Sequence, residues 1–146
     1  MKNSLRCSAG FSLVELTLAL GIAAFCLIAV LGLVPVAALT NRNATSQTAA
    51  TNIIASVIAD MRASTSSTSP QYNITFGTAK TLYFDGAGQF TTSLGANSRY
   101  RVRVTFPSSP SGLSYADVKA TWPAPVDPVT TTPSGAVEIF AAFDRN

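Results

Sequence analysis

The residues best suited to chemistry stand near the start of the chain, where one acid precedes a long apolar run. The hexapeptide GFSLVE occupies residues 10–15, Leu16–Leu39 contains no charged side chain, and the next charge is Arg42. A charge within a lipid-embedded helix costs about 2.5–3.5 kcal/mol on insertion scales, so Glu15 needs a partner. A buried ammonium group has the same problem, and pairing the two lowers the cost of both while fixing their register.

A second candidate is a basic stripe on one predicted strand, where Arg99, Arg101 and Arg103 alternate with apolar residues. Such a stripe could contact a polyanion, either DNA phosphates or other anionic polymers, or lipid headgroups. The chain has ten basic and seven acidic residues, and no aromatic stacking platform accompanies the stripe. We therefore favour an ordinary solvated strand face balanced by nearby acids.

The acids of the second half raise the question of calcium, since Asp85 begins the run DGAG and Asp117 and Asp127 follow. Calcium takes six to eight oxygen ligands, and these acids are not clustered in the sequence. A plain turn at residues 85–88 is the favoured interpretation, and no metal site is predicted.

Enzymatic chemistry has little support in this composition. The chain contains no histidine, which excludes Ser-His-Asp and Cys-His arrangements and most zinc sites. It also lacks a glycine-rich phosphate loop and a well-placed carboxylate pair. We expect a protein that is not an enzyme and needs no cofactor.

The hexapeptide and the apolar run after it resemble the class III signal of type IV pilins and type II secretion pseudopilins. The resemblance implies that a prepilin peptidase/N-methyltransferase cuts after Gly10 and methylates the new N-terminal Phe11. It also implies that Glu15, the fifth residue after the cut, pairs with that amine on a neighbouring subunit. The remaining implied partners are other pilin or pseudopilin subunits and an inner-membrane assembly platform.

The implied function is structural: a subunit, and a minor one, of a type II secretion pseudopilus or type IV pilus-like filament that serves protein secretion. The end of the chain is similar to minor pseudopilins and, more narrowly, to Verru_Chthon cassette proteins. Two alternatives stay open. One is a competence-type minor pilin that binds DNA, and the other is a signal-anchored periplasmic protein that never polymerises.

The apolar run is long enough to cross a membrane. As a helix, Leu16–Leu39 would extend about 36 Å, against a hydrocarbon core of about 30 Å. It is also longer than the apolar region of a cleaved secretory signal. Lys2 and Arg6 ahead of it favour a cytoplasmic N-terminus, which would place the rest in the periplasm. We expect a single-pass inner-membrane protein that enters a filament on assembly.

The two cysteines, Cys7 and Cys26, predict no disulfide in the soluble part. Cys7 would leave with a leader of residues 1–10, and Cys26 lies inside the apolar run. Cys7 is a poor lipidation site because no hydrophobic stretch precedes it.

Residues 11–63 are predicted to form one helix, apolar at first and amphipathic later. Gly32 and Pro35 interrupt the apolar part, and Pro35 predicts a kink or local melting there. In the second part apolar residues recur near helical spacing: Ala44, Ala50, Ile54, Val57, Ile58 and Met61. Polar residues fall largely between them: Thr45, Ser46, Gln47, Thr51, Asn52 and Asp60.

Residues 64–146 are predicted to form a small β-rich head, because the periodicity falls to two after the connector at residues 64–70. The predicted strands are Tyr72–Phe76, Thr81–Phe84, Gln89–Thr92, Arg99–Phe106, Ala116–Trp122 and Ala136–Phe143. No helical pattern separates them, so the sheet should be antiparallel. The fold class is α+β, with the long helix packed on this sheet as in pilins.

Overall fold

The computed structural model of the chain describes residues 10–107 and 113–144. The predicted leader residues Lys2, Arg6 and Cys7 lie outside them. The chain divides into two compact units, one ending at Asn41 and the other beginning at Arg42. The elements are α1 (Leu13–Ala63), β1 (Lys80–Asp85), β2 (Phe90–Thr91), β3 (Ser98–Thr105), β4 (Leu113–Trp122) and β5 (Gly135–Asp144).

The first unit holds the apolar part of α1. The helix begins two residues later than predicted, where the backbone N–H of Leu16 donates to the carbonyl of Ser12 at 3.1 Å. The hydroxyl of Thr17 donates to the carbonyl of Val14 at 2.9 Å, so this polar group is satisfied within the helix. Every described residue of the unit is exposed. By length and composition, α1 can cross a membrane, as an anchor or as a signal sequence.

Gly32 and Pro35 lie inside α1, which the structure assigns as helix without a break. Proline has no N–H to donate, so the carbonyl four residues earlier loses its usual helical partner. The local melting predicted there is not seen in this chain. A bend within an assembled filament stays a prediction.

The second unit contains a five-stranded sheet of order β2-β1-β3-β4-β5, in which every neighbouring pair is antiparallel. The predicted antiparallel sheet is therefore confirmed. Strands β4 and β5 each pair with the strand that precedes them in the chain, whereas β3 pairs with β1, and β2 lies at the edge beside β1. The β4–β5 pairing runs from Leu113 opposite Asp144 to Trp122 opposite Gly135 without a register shift.

The core of the second unit lies between one side of α1 and one face of the sheet, which confirms the α+β arrangement. The helix contributes Ala50, Ile53, Ile54, Val57, Ile58 and Met61 to a buried cluster. The sheet contributes Leu82, Phe84, Tyr100, Val102, Val104, Ala116, Val118, Ala120, Ala141 and Phe143. Alternation along β3 explains this, because Tyr100, Val102 and Val104 point inward and the residues between them point away.

The strand predicted at Tyr72–Phe76 is wrong. Tyr72 and Ile74 are buried as the alternation suggested, but the segment forms a loop closed by its own hydrogen bonds. The backbone N–H of Ser69 donates to the carbonyl of Ile74 at 2.9 Å, and that of Asn73 donates to Ser69 at 3.1 Å. Asn73 has a positive φ of 52°, which breaks an extended conformation. The strand predicted at Gln89–Thr92 shortens to β2.

Trp122 and Gly135 stand opposite each other at one end of the β4–β5 ladder, next to a cis Trp122–Pro123 bond. A Cβ atom added to Gly135 would lie 2.2 Å from the indole ring of Trp122, which explains the glycine. The indole also makes an edge contact with Tyr100, with ring centroids 6.1 Å apart. Trp122 therefore packs within the head.

Two residues assigned to the polar side of the helix, Ser46 and Asp60, are in fact buried. The hydrogen bonds of Asp60 account for its burial. One carboxylate oxygen accepts the backbone N–H of Gln71 at 3.0 Å, and the other accepts that of Tyr72 at 3.0 Å. Asp60 thus ties the loop after the helix back onto the helix.

Replacing Asp60 by alanine should destabilise the head, because two backbone donors would lose their acceptor. We expect the free energy of unfolding to fall by about 1–3 kcal/mol. The measurement is urea unfolding of the full chain in detergent, followed by Trp122 fluorescence. Asp85→Ala is the matched control, since Asp85 also accepts two backbone N–H groups but in an exposed turn. An Asp60→Ala loss no larger than the control loss would contradict this role.

Candidate functional site

Gly10 and Phe11 come shortly before α1, and Glu15 lies in its first turn. Their roles in processing and assembly stay predictions. Gly10 and Phe11 precede the helix, and Phe11 is 87% exposed. A Cβ added at Gly10 would meet no atom within 4 Å, so packing among the described residues does not require a glycine here.

Glu15 occupies the first turn of α1 and is exposed. The described residues provide no cation within salt-bridge distance of it. An acid in the first helical turn interacts favourably with the helix dipole, by about 0.3–1 kcal/mol. Placing the same charge in lipid costs about 2.5–3.5 kcal/mol. The dipole alone does not offset this cost, so a membrane setting still calls for a cation.

The three arginines of β3 do not form a free basic stripe. Arg99 donates from Nη2 to the hydroxyl of Ser46 at 3.0 Å. Arg101 pairs with Asp127 through Nη1 and Oδ2 at 3.1 Å, and its side chain is only 13% exposed. Arg103 is exposed and contributes to the positive field at Asp127. The pairing of Arg101 with an acid favours the solvated-face interpretation over a DNA site.

Asp127 lies in the loop between β4 and β5 and holds that loop against β3. Its Oδ1 accepts the backbone N–H of Val129 at 3.0 Å, which is the main reason that its pKa is lowered. The Arg101 guanidinium lowers the pKa further. The carboxylate is therefore a structural partner in this loop.

The acids considered for calcium do not come together. Asp85 accepts the backbone N–H groups of Ala87 at 2.9 Å and Gln89 at 2.8 Å, so residues 85–88 form the turn between β1 and β2 as predicted. Asp117 lies on β4 and Asp127 in the later loop. Within residues 10–107 and 113–144, no group of three or more metal-ligating side chains is assembled.

A charged cluster that the sequence did not reveal lies across β4 and β5. Lys119 stands opposite Glu138 in the ladder, with Nζ 2.8 Å from Oε2. This hydrogen bond lowers the pKa of Glu138 and raises that of Lys119. Burial, followed by repulsion from Glu138, raises the pKa of Asp117 above its ordinary value of 3.8. Only the strand register brings these residues together.

Comparison of the chain with known protein families, with curated proteins and with solved structures finds no match. The resemblance to pilins and pseudopilins therefore rests on the N-terminal residues and stays a prediction.

The raised pKa of Asp117 predicts a pH-dependent stability. Protonated Asp117 is favoured in the folded state, so its contribution is present below pH 3.8 and is lost as the pH rises through the folded pKa. Asp117→Asn should raise the thermal midpoint at about pH 7. That gain should shrink toward about pH 3, where wild-type Asp117 is itself neutral. Circular dichroism of the full chain in detergent measures both midpoints.

Asp127→Asn is the matched control of opposite sign. The pKa of Asp127 is lowered, so its contribution is present above the ordinary value and is lost as the pH falls through the folded pKa. This variant should lower the midpoint at about pH 7 and match the wild type in acid. A lower midpoint for Asp117→Asn at neutral pH would contradict the assignment.

Proposed function

We propose that the chain is a prepilin-like structural subunit that is cut after Gly10, methylated at Phe11 and assembled into a filament through Glu15. The filament would be a type II secretion pseudopilus or a related type IV pilus-like fibre. The carrying observation is Glu15, a carboxylate at the head of a long apolar helix that finds no cation among the described residues of its own chain.

The chemistry of assembly follows from that unpaired charge. Cutting after Gly10 creates an ammonium group at Phe11, four residues from Glu15. An isolated subunit would hold an acid and an amine without stable partners at the membrane. Docking on another subunit would bring the acid of one chain to the amine of the other, which lowers the free energy and fixes the register.

The apolar part of α1 supports the same proposal. Its large apolar side chains are exposed in the single chain, from Leu13 at 79% to Leu39 at 61%. Exposed apolar surface on this scale marks contact with lipid or with other chains. A subunit that moves from membrane to filament would use the same surface in both settings. The head would then lie in the periplasm before assembly and outside the filament core afterwards.

Processing predicts a defined mass. The chain isolated from membranes that contain a prepilin peptidase should lack residues 1–10 and carry one extra methyl group. Gly10→Leu should leave the precursor uncut, because a bulky side chain would clash at the cleaved bond. Intact-mass spectrometry reads both results, and Gly21→Ala serves as a control at another open glycine of the first unit. Wild-type material that begins at Met1 would support a signal-anchored protein and overturn the proposal.

Assembly predicts a charge requirement at Glu15. Glu15→Leu should remain in the membrane and be processed, yet its incorporation into filaments should fall about a hundredfold. That factor corresponds to about 2.5–3.5 kcal/mol for a charge left without its partner. Glu15→Asp should retain part of the incorporation because it keeps the carboxylate. The measurement is the amount of variant in sheared filaments from the native host.

Glu138→Gln is the matched control, because it removes one acid from the head and leaves the N-terminal site unchanged. It should assemble as the wild type does. Normal incorporation of Glu15→Leu would refute the role of Glu15 without refuting processing at Gly10.

A further inference from the structure

The strand β5 forms an open edge of the sheet. It pairs with β4 along ten residues on one side. On its other side, no strand among residues 10–107 and 113–144 is paired with it. Alternate backbone N–H and C=O groups of an edge strand point away from the sheet, ready to pair with another extended chain.

This edge lacks the features with which proteins usually prevent such pairing. Gly135–Asp144 contains no proline, lysine or arginine, and its ladder with β4 has no bulge. Of its two acids, Glu138 is bonded to Lys119 of β4, and Asp144 stands opposite Leu113 at the end of the ladder. Phe140 is 70% exposed. A long, regular and largely apolar edge of this kind favours association.

The opposite edge of the sheet is different. There β2 has only two residues, and the β1–β3 ladder has a register shift between Phe84 and Asp85. A head-to-tail contact between β5 and that edge would leave most of β5 unpaired. Contact between two identical β5 edges pairs the whole strand and closes on itself by two-fold symmetry.

We propose that β5 pairs antiparallel with β5 of a second copy of this chain, with Phe140 opposite Phe140. In this register Glu138 faces Ala142 of the other copy, so the two carboxylates are kept apart. Centring the pair on Glu138 instead would place like charges opposite each other, which is unfavourable. The charge of Glu138 thus disfavours a pair centred on it.

The inward-facing residues fit the same register. Ile139 would stand opposite Ala141, and Val137 opposite Phe143, so a large side chain meets a smaller one at each pair. Val137 and Ile139 are only partly buried against the core of a single head. A second strand at this edge would cover them and join the two sheets into one of ten strands.

The first test maps the register by disulfide crosslinking of the full chain in detergent, with Cys7→Ser and Cys26→Ser as background. Opposed residues of an antiparallel pair have Cα atoms about 4.5–5.5 Å apart, within the range of a disulfide. Phe140→Cys should crosslink to itself. Glu138→Cys and Ala142→Cys should each stay uncrosslinked alone and crosslink when mixed. Val129→Cys, 73% exposed in a loop, is the control and should not crosslink.

The second test separates this contact from association of the apolar helices. Phe140→Lys places two ammonium groups opposite each other and should halve the protein mass per particle in analytical ultracentrifugation. Because Phe140 is exposed, its thermal midpoint should stay close to that of the wild type. Glu15→Leu should leave the β5 dimer intact, so failure of the proposed filament function would not remove this contact.

Three results would overturn the proposal: a monomeric wild type at 100-fold the concentration used for crosslinking, equal crosslinking at Phe140 and Val129, or a Phe140→Lys dimer. Pairing of β5 only with a strand of a different protein would appear as the first result and would count against the self-association proposed here.

Discussion

The head depends on burial of one side of α1 against one face of the sheet. Ile54, Val57 and Met61 are almost fully buried there, and each such side chain contributes about 1.5–3 kcal/mol relative to exposure. Asp60 makes this contact possible at the end of the helix. Its two oxygens accept backbone N–H groups of Gln71 and Tyr72, so the chain turns back over the core without losing hydrogen bonds. A polar residue thus completes an apolar layer.

The apolar part of the same helix meets a different constraint. Its side chains are exposed throughout the part that the structure describes. A helix is among the few structures whose backbone hydrogen bonds are complete in lipid. The hydroxyl groups of Thr17 and Thr40 are also satisfied within the helix, because they donate to its own carbonyls. The side chain of Glu15 cannot be satisfied in this way, because a carboxylate has no hydrogen to donate to a carbonyl. Glu15 is therefore a charged group without a cation among the described residues, and this points to a partner outside them.

The spacing of apolar residues in the sequence correctly predicted the regular helix and strands that bury one face. The amphipathic part of α1 and the strands β3 to β5 follow from periods of 3.6 and 2, and their antiparallel order follows from the absence of intervening helices. The strand prediction at Tyr72–Phe76 was wrong because alternating apolar residues indicate burial, whereas a strand also needs a neighbouring strand to pair with. The predicted exposure of Asp60 and Ser46 was wrong because polar side chains can be buried when distant backbone or side-chain groups form hydrogen bonds with them. The pairing of Arg101 with Asp127, and the meeting of Asp117 with Glu138, depend on tertiary register that no local pattern contains.

The charged side chains of the head and the open edge at β5 play different roles. Arg101 is paired with Asp127 and Lys119 with Glu138, so these charges are balanced within the head. The β5 edge instead offers backbone groups that no other strand of the described residues pairs, together with the neutral aromatic side chain of Phe140. Association through such an edge draws its strength from main-chain hydrogen bonds and apolar contact, and charge acts mainly by excluding wrong registers. Since screening by salt weakens charge pairs far more than either of these, contact at this edge should depend little on ionic strength.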